Sequence, residues 1–223
     1  VPVSALPVSS YMQDWTSPVL LSFAFDLNAG ALTLNFDEIA RVSSLHVSAI
    51  TLRSSDGTSR LTLWEASTTS TNGLSLQVLL SASELNAVKQ ATNMFTSLST
   101  SFIDVTSDMV QDMAGNDVVA TLRKPAAGFV GDTTRPTLES FTFDLNAGIL
   151  NFTFSETVHS QAILVTAITL QSSSSVPDPS SLDRVTLTGV PLFTTSPPTP
   201  SSLQLTYSAF NTPHHPNTTP PNS

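Results

Sequence analysis

The sequence predicts an all-β protein of two tandem β-sandwiches, the second lacking its last strands. Three observations carry this. The chain repeats itself at a domain-sized interval. Each copy opens with apolar residues alternating at period two. Short alternating runs then recur about every ten residues, separated by Gly, Asn and Asp turn signals, the pattern of a sandwich.

The repeat comes first, because it organises the rest. Residues 23–30 read FAFDLNAG, and residues 141–148 read FTFDLNAG. The offset of 118 holds without a gap from Pro18/Pro136 to Leu52/Leu170, and about half of the aligned positions are identical. Each copy therefore begins with a hairpin. Leu138, Phe141 and Phe143 lead to Asn146-Ala147-Gly148, and Leu150, Phe152 and Phe154 return. Asn28-Ala29-Gly30 turns the first copy in the same way, ahead of Leu32, Leu34 and Phe36. The glycine supplies the positive φ that a tight turn requires. Further strands are expected over residues 49–53, 60–64, 74–80, 102–105 and 118–122. Glu84, Leu85, Val88 and Lys89 sit at helical spacing, which predicts a short helix over residues 82–92.

The second copy follows the first only in part. Residues 184–187 resemble 60–63, and SLQL at 202–205 resembles SLQV at 75–78, by which point the offset is 127. The counterparts of the last two strands would then start near residue 229, so copy two is expected to lack them. The expected organisation is an N-terminal arm at 1–14, a first domain at 15–124 and a linker at 125–134. An incomplete second domain at 135–210 follows, with a Pro-rich insertion at 191–202 and a Pro-rich tail at 211–223. An incomplete sandwich exposes unpaired backbone edges. Val1, Val3, Ala5, Leu6 and Val8 form an alternating apolar arm that belongs to neither copy. It is the expected donor strand for copy two of a neighbouring chain, giving head-to-tail homopolymers.

The order of a hydrophobic hairpin, Phe36-Asp37-Glu38, Ala49-Ile50-Thr51-Leu52 and a late Asp112-Met113-Ala114-Gly115-Asn116 resembles the immunoglobulin-like repeats of bacterial and protist surface proteins, including S-layer and adhesin-array types. Phe154-Ser155-Glu156 and Ala167-Ile168-Thr169-Leu170 match in the second copy. The resemblance implies Ig-like sandwiches that space or assemble, and no reaction. The run Ser196-Pro197-Pro198-Thr199-Pro200 resembles hydroxyproline-rich glycoproteins of plant and algal surfaces.

Composition agrees with an extracellular or cell-surface place. Charged residues are 11% of the chain, against roughly 25% in average proteins, with Ser and Thr in their stead. Eight Lys and Arg against 17 Asp and Glu leave a net charge of −9, which disfavours nucleic acid and anionic lipid as partners. There is no cysteine, and no apolar run long enough for membrane insertion as a helix. Covalent glycans are expected. Asn151 and Asn217 stand in N-glycosylation sequons, with Asn151 on the outward face of its strand. Thr194, Thr195, Ser196, Pro197, Pro198, Thr199, Pro200, Thr218 and Thr219 are O-glycosylation candidates.

Chemistry is harder to find. No nucleophile motif, zinc-helix motif or phosphate loop occurs. No catalytic residue, metal or cofactor is therefore assigned, and the protein is expected not to be an enzyme. Asp26-Asn28-Gly30 and Asp144-Asn146-Gly148 are read as hairpin turns. Asp108, Asp112, Asn116 and Asp117, with Asp132, form an acidic grouping. Glu38 and Glu156 are expected to accept backbone N–H bonds at a strand end, and Trp15 and Trp64 to pack at core edges. The functional expectation is a structural subunit of a glycosylated extracellular fibril. The alternative is a fragment of a multi-repeat adhesin that binds carbohydrate or protein.

Overall fold

The computed structural model describes residues 5–159, 162–172, 174, 184–188, 192–193 and 202–206. The chain divides after Arg135 into two compact units. The fold is all-β, with one α-helix among the described residues.

In the first unit, β1 (Leu20–Asp26) and β2 (Ala31–Arg41) form the predicted hairpin. Asp26 Oδ1 accepts the backbone N–H groups of Asn28 (2.9 Å) and Ala29 (3.0 Å), and Gly30 closes the turn at φ +61°. β3 (Ile50–Arg53), β4 (Arg60–Thr62) and β5 (Gly73–Leu79) follow. Helix α1 (Ala82–Gln90) is opened by a capping box, in which the Ser81 hydroxyl accepts from Glu84 N–H and the Glu84 carboxylate accepts from Ser81 N–H. β6 (Phe102–Val105), β7 (Gln111–Asp112), β8 (Thr121–Pro125) and β9 (Gly128–Val130) complete the unit.

One sheet has the order β5-β2-β1-β9, with β7 also on β2, and the other has the order β4-β3-β6-β8. Both contribute to a single core: Phe23, Phe25, Leu32, Leu34, Leu76 and Val78 from the first, Ile50, Leu52, Ile103 and Val105 from the second. Phe95 joins them, its ring edge-on to Phe25 at 4.9 Å. The strands alternate because one face of each sheet is buried and the other wet.

In the second unit, β10 (Leu138–Asp144) and β11 (Ile149–Phe154) repeat the hairpin. β12 (Thr169–Gln171) pairs with β13 (Arg184–Thr186), and β14 (Leu192–Phe193) with β15 (Ser202–Thr206). The register reproduces copy one residue for residue. Leu34 opposes Leu76 as Phe152 opposes Leu203, and Thr51 opposes Thr62 as Thr169 opposes Thr186. Both threonine pairs are joined by a hydroxyl bond of 2.9 Å. Leu150, Phe152, Val165, Leu187 and Leu205 form a small second core.

Several boundaries differ from expectation. The last strand of the first sheet pair begins at Thr121, three residues later than the apolar pattern indicates. Val118 is spent on closing the preceding turn, its N–H donating to Val110 C=O at 2.9 Å. Residues 128–130, expected in a linker, form β9, a parallel partner of β1. Gly128 fits there because a Cβ would stand 3.1 Å from the Cβ of Ala24. Leu192-Phe193, expected within a Pro-rich insertion, forms a strand on β15.

Candidate functional site

Carboxylates make the most organised chemistry in the first unit. Asp112 ends β7 and begins the D-M-A-G-N turn. Its Oδ1 accepts the N–H groups of Gly115 (2.6 Å) and Asn116 (2.7 Å), and its Oδ2 accepts from Asn116 Nδ2 (2.8 Å). Gly115 is at φ +97°, which L side chains rarely adopt. Asp112 is buried, and burial pushes its carboxyl up. The bonds from Asn116, Gly115 and Ala114 outweigh burial and hold it below the usual carboxylate range.

Glu38 lies two residues from Ala40, which opposes Asp112 across the sheet. It does not play the expected part of a strand-end acceptor. Its Oε1 is buried with no hydrogen-bond partner, and Asp37 accepts the local N–H, from Val19 at 2.7 Å. Asp14 closes the group from the segment before β1, where its Oδ1 accepts Thr16 N–H at 2.9 Å. Asn116 Nδ2 also donates to Asp14 C=O at 3.2 Å. Carboxylate oxygens of Asp14, Glu38 and Asp112 all lie within 4.8 Å of one another. Burial, then the charges of Asp112, Asp14 and Asp37, push the Glu38 carboxyl above its ordinary value.

The acidic grouping expected from sequence is brought together only in part, with Asn116 bonded to Asp112 and Asp132 placed elsewhere. Asp132 pairs with Lys89 at 2.9 Å, Asp117 accepts from Gln111 Nε2 at 3.0 Å, and Asp108 is exposed. Asp108 and Asp117 instead line an open cleft of about 410 Å³ with Ser44, His46 and Gln111. Sequence reasoning missed Asp14. One signal was present, since Asp132 stands 118 residues later in the same D-x-T-x-P frame. Both aspartates accept the N–H of the threonine two residues on.

Glu84 is fully buried and structural. Its Oε1 accepts N–H bonds from Trp64 (2.6 Å), Glu65 (3.0 Å) and Ala66 (3.3 Å), and its Oε2 accepts from Ser81 (2.8 Å). Burial pushes its carboxyl up, but these bonds prevail and hold it below its ordinary value.

The sequence-predicted positions fall as follows. Asn151 sits mid-strand on β11 between buried Leu150 and Phe152, and is part-exposed as the alternation requires. Ala5, Leu6 and Val8 are exposed, and Tyr11, Met12 and Trp15 extend the same apolar segment. Of the two tryptophans expected at core edges, Trp15 is largely exposed, at 76%, and Trp64 is half-exposed, at 49%. Val1, Val3, Asn217 and the O-glycosylation candidates at 194–200, 218 and 219 lie outside the described residues.

No protein-family profile matches the chain, and no curated protein matches it. Among solved structures, the chain is similar to the S-layer protein rSbsC(31-844) and to domains 1-6 of surface layer protein SbsC. In each case the identity is 14% over 59% of this chain, with a TM-score of 0.37. The N-terminal part of the bacterial S-layer protein SbsC gives 14% identity over 59% of this chain and a TM-score of 0.36. The chain spans 16% of the first two and 27% of the third.

Proposed function

We propose that the chain is a non-enzymatic structural subunit of an extracellular or cell-surface assembly, joined head-to-tail through the hairpin of its second unit. The observation that carries this reading is one sequence in two environments. In copy one, β9 lies along the outer edge of β1, with Ala24 opposite Gly128 and Phe25 opposite Phe129. In copy two, β10 pairs with β11 alone among the described residues. An unpaired strand edge is a template for another strand. The same chain offers an exposed apolar segment, from Ala5 to Met12, that joins neither core. Donation of that arm to β10 of the next copy is a heterologous contact, which builds a filament where its rotation does not close into a ring. Its prolines hold it to an edge position, where missing N–H donors face away from the ladder. Asn151 and the Ser/Thr/Pro runs would carry glycans on such a surface.

Electron microscopy and sedimentation of the full chain test the reading. Filaments are expected, and they should be lost on deleting residues 1–12 and on Phe141→Asp. Polymers that persist in both variants would sink it. A second reading, a surface adhesin, is favoured by the polar cleft of Ser44, His46, Asp108, Gln111 and Asp117, which offers hydroxyl, imidazole, carboxylate and amide groups to a sugar. Saturable glycan binding by a non-polymerising chain, abolished by Asp117→Ala, would establish that alternative.

A further inference from the structure

We propose that Asp14, Glu38 and Asp112 hold a calcium ion that ties the segment before β1 to the end of β2 and the turn after β7. Three carboxylates meet here from positions far apart in sequence. Like charges this close repel strongly unless a cation or proton intervenes. Among the described residues the ion pairs are Arg53 with Asp104 and Lys89 with Asp132, and neither cation belongs to this group. Protein donors satisfy Asp112, which is held rigidly by three N–H bonds. Glu38 is different: its Oε1 is buried and receives no hydrogen bond. A buried carboxylate oxygen without a donor is costly, and metal coordination is one of the few ways to satisfy it.

The donor set selects the ion. All three ligands are hard carboxylate oxygens, with no imidazole or thiolate, which favours calcium or magnesium over zinc. The three oxygens lie within 4.8 Å of one another, close enough to share one ion with only a small inward movement of the exposed Asp14. Magnesium demands near-ideal octahedral geometry and gives up its water reluctantly, whereas calcium accepts an irregular set of protein oxygens. The site would work as a clasp. Asp14 is exposed and its own segment has few other anchors, whereas Asp112 and Glu38 belong to the sandwich.

Titration of the full chain with Ca²⁺ by calorimetry, and with Tb³⁺ by luminescence excited through tryptophan, is the test. Trp15 adjoins Asp14 and serves as the antenna. Saturable binding is expected with a dissociation constant of about 10⁻⁴–10⁻³ M, as in extracellular calcium modules. Ca²⁺ should displace Tb³⁺. Asp14→Asn and Glu38→Gln should each weaken binding tenfold or more with the circular dichroism unchanged. Asp108→Asn, an exposed carboxylate outside the group, should leave it unchanged. No saturable binding by the parent chain, or binding that survives both ligand substitutions, would overturn the proposal.

Discussion

The two copies share a hairpin sequence and a strand register, yet bury their hairpins differently. Leu20, Phe23 and Leu27 are 0%, 0% and 7% exposed, while their counterparts Leu138, Phe141 and Leu145 are 50%, 55% and 74% exposed. The difference does not lie in the hairpin residues. It lies in what arrives later in the chain. In copy one, Leu85 of α1 covers the turn at Gly30, Phe95 meets Phe25, and Ala127 to Val130 run along β1. No described residue of copy two fills those places. Identical local patterns thus make identical local structure, while burial is conferred by contacts from elsewhere in the chain.

This comparison can be broken most directly with paired truncations. Phe23→Ala should destabilise the first unit by about 3–5 kcal/mol, through lost burial and a cavity, and Phe141→Ala should cost the second only about 1 kcal/mol. Urea unfolding followed by hydrogen exchange, which resolves the two units, measures both. Equal costs would show that β10 is covered in solution, as it would be within an assembly.

Next in size is Glu84→Ala. It removes a buried acceptor of four backbone N–H bonds, leaving those donors unsatisfied, and should cost about 3 kcal/mol. The loss should appear in the first unit alone, because the helix it caps belongs there. An equal shift in the second unit would mean that the two fold as one.

Acid should act through the same groups. Glu84 and Asp112 both have lowered folded-state values, so each binds its proton more weakly folded than unfolded. The stability they contribute is present above the unfolded values, about 4, and is lost as pH falls through the folded values. The first unit's urea midpoint should hold from pH 7 to about 5 and decline below about 4. The double variant Glu84→Gln, Asp112→Asn should lower the plateau and flatten the decline.

The smallest effect has the opposite sign. The Glu38 carboxyl is raised, so its contribution is fully present at low pH and lost as pH rises through the folded value. Glu38→Gln should raise the thermal midpoint slightly at neutral pH in chelator, by relieving repulsion, and lose that advantage when calcium is added. A fall in chelator would mean that the carboxylate has a structural partner.

Much of the fold was legible because it is local. The hairpins follow from period-two apolar runs flanking Asp-x-Asn-x-Gly, and α1 from the helical spacing of Glu84, Leu85, Val88 and Lys89. The alignment at offset 127 was legible too, and the identical register of β5 on β2 and β15 on β11 supports it. β9 was not legible. Three residues, Gly128-Phe129-Val130, carry too little pattern to mark a strand, and their partner lies about a hundred positions back. The start of β8 was misplaced because Val118 is buried without lying in a strand. The candidate site was half visible. Asp112 and Glu38 stood out as motif residues, but their roles did not. Nothing in F-x-E says that Asp37 takes the N–H and Glu38 the buried, donorless place.

By itself, the sequence determined the hairpins, the helix and the duplication, since alternation and turn chemistry act between near neighbours. Tertiary structure alone decided which hairpin is covered, where the edge of β10 lies, and that carboxylates from positions 14, 38 and 112 converge. Those are contacts between segments many tens of residues apart, and no local propensity encodes them.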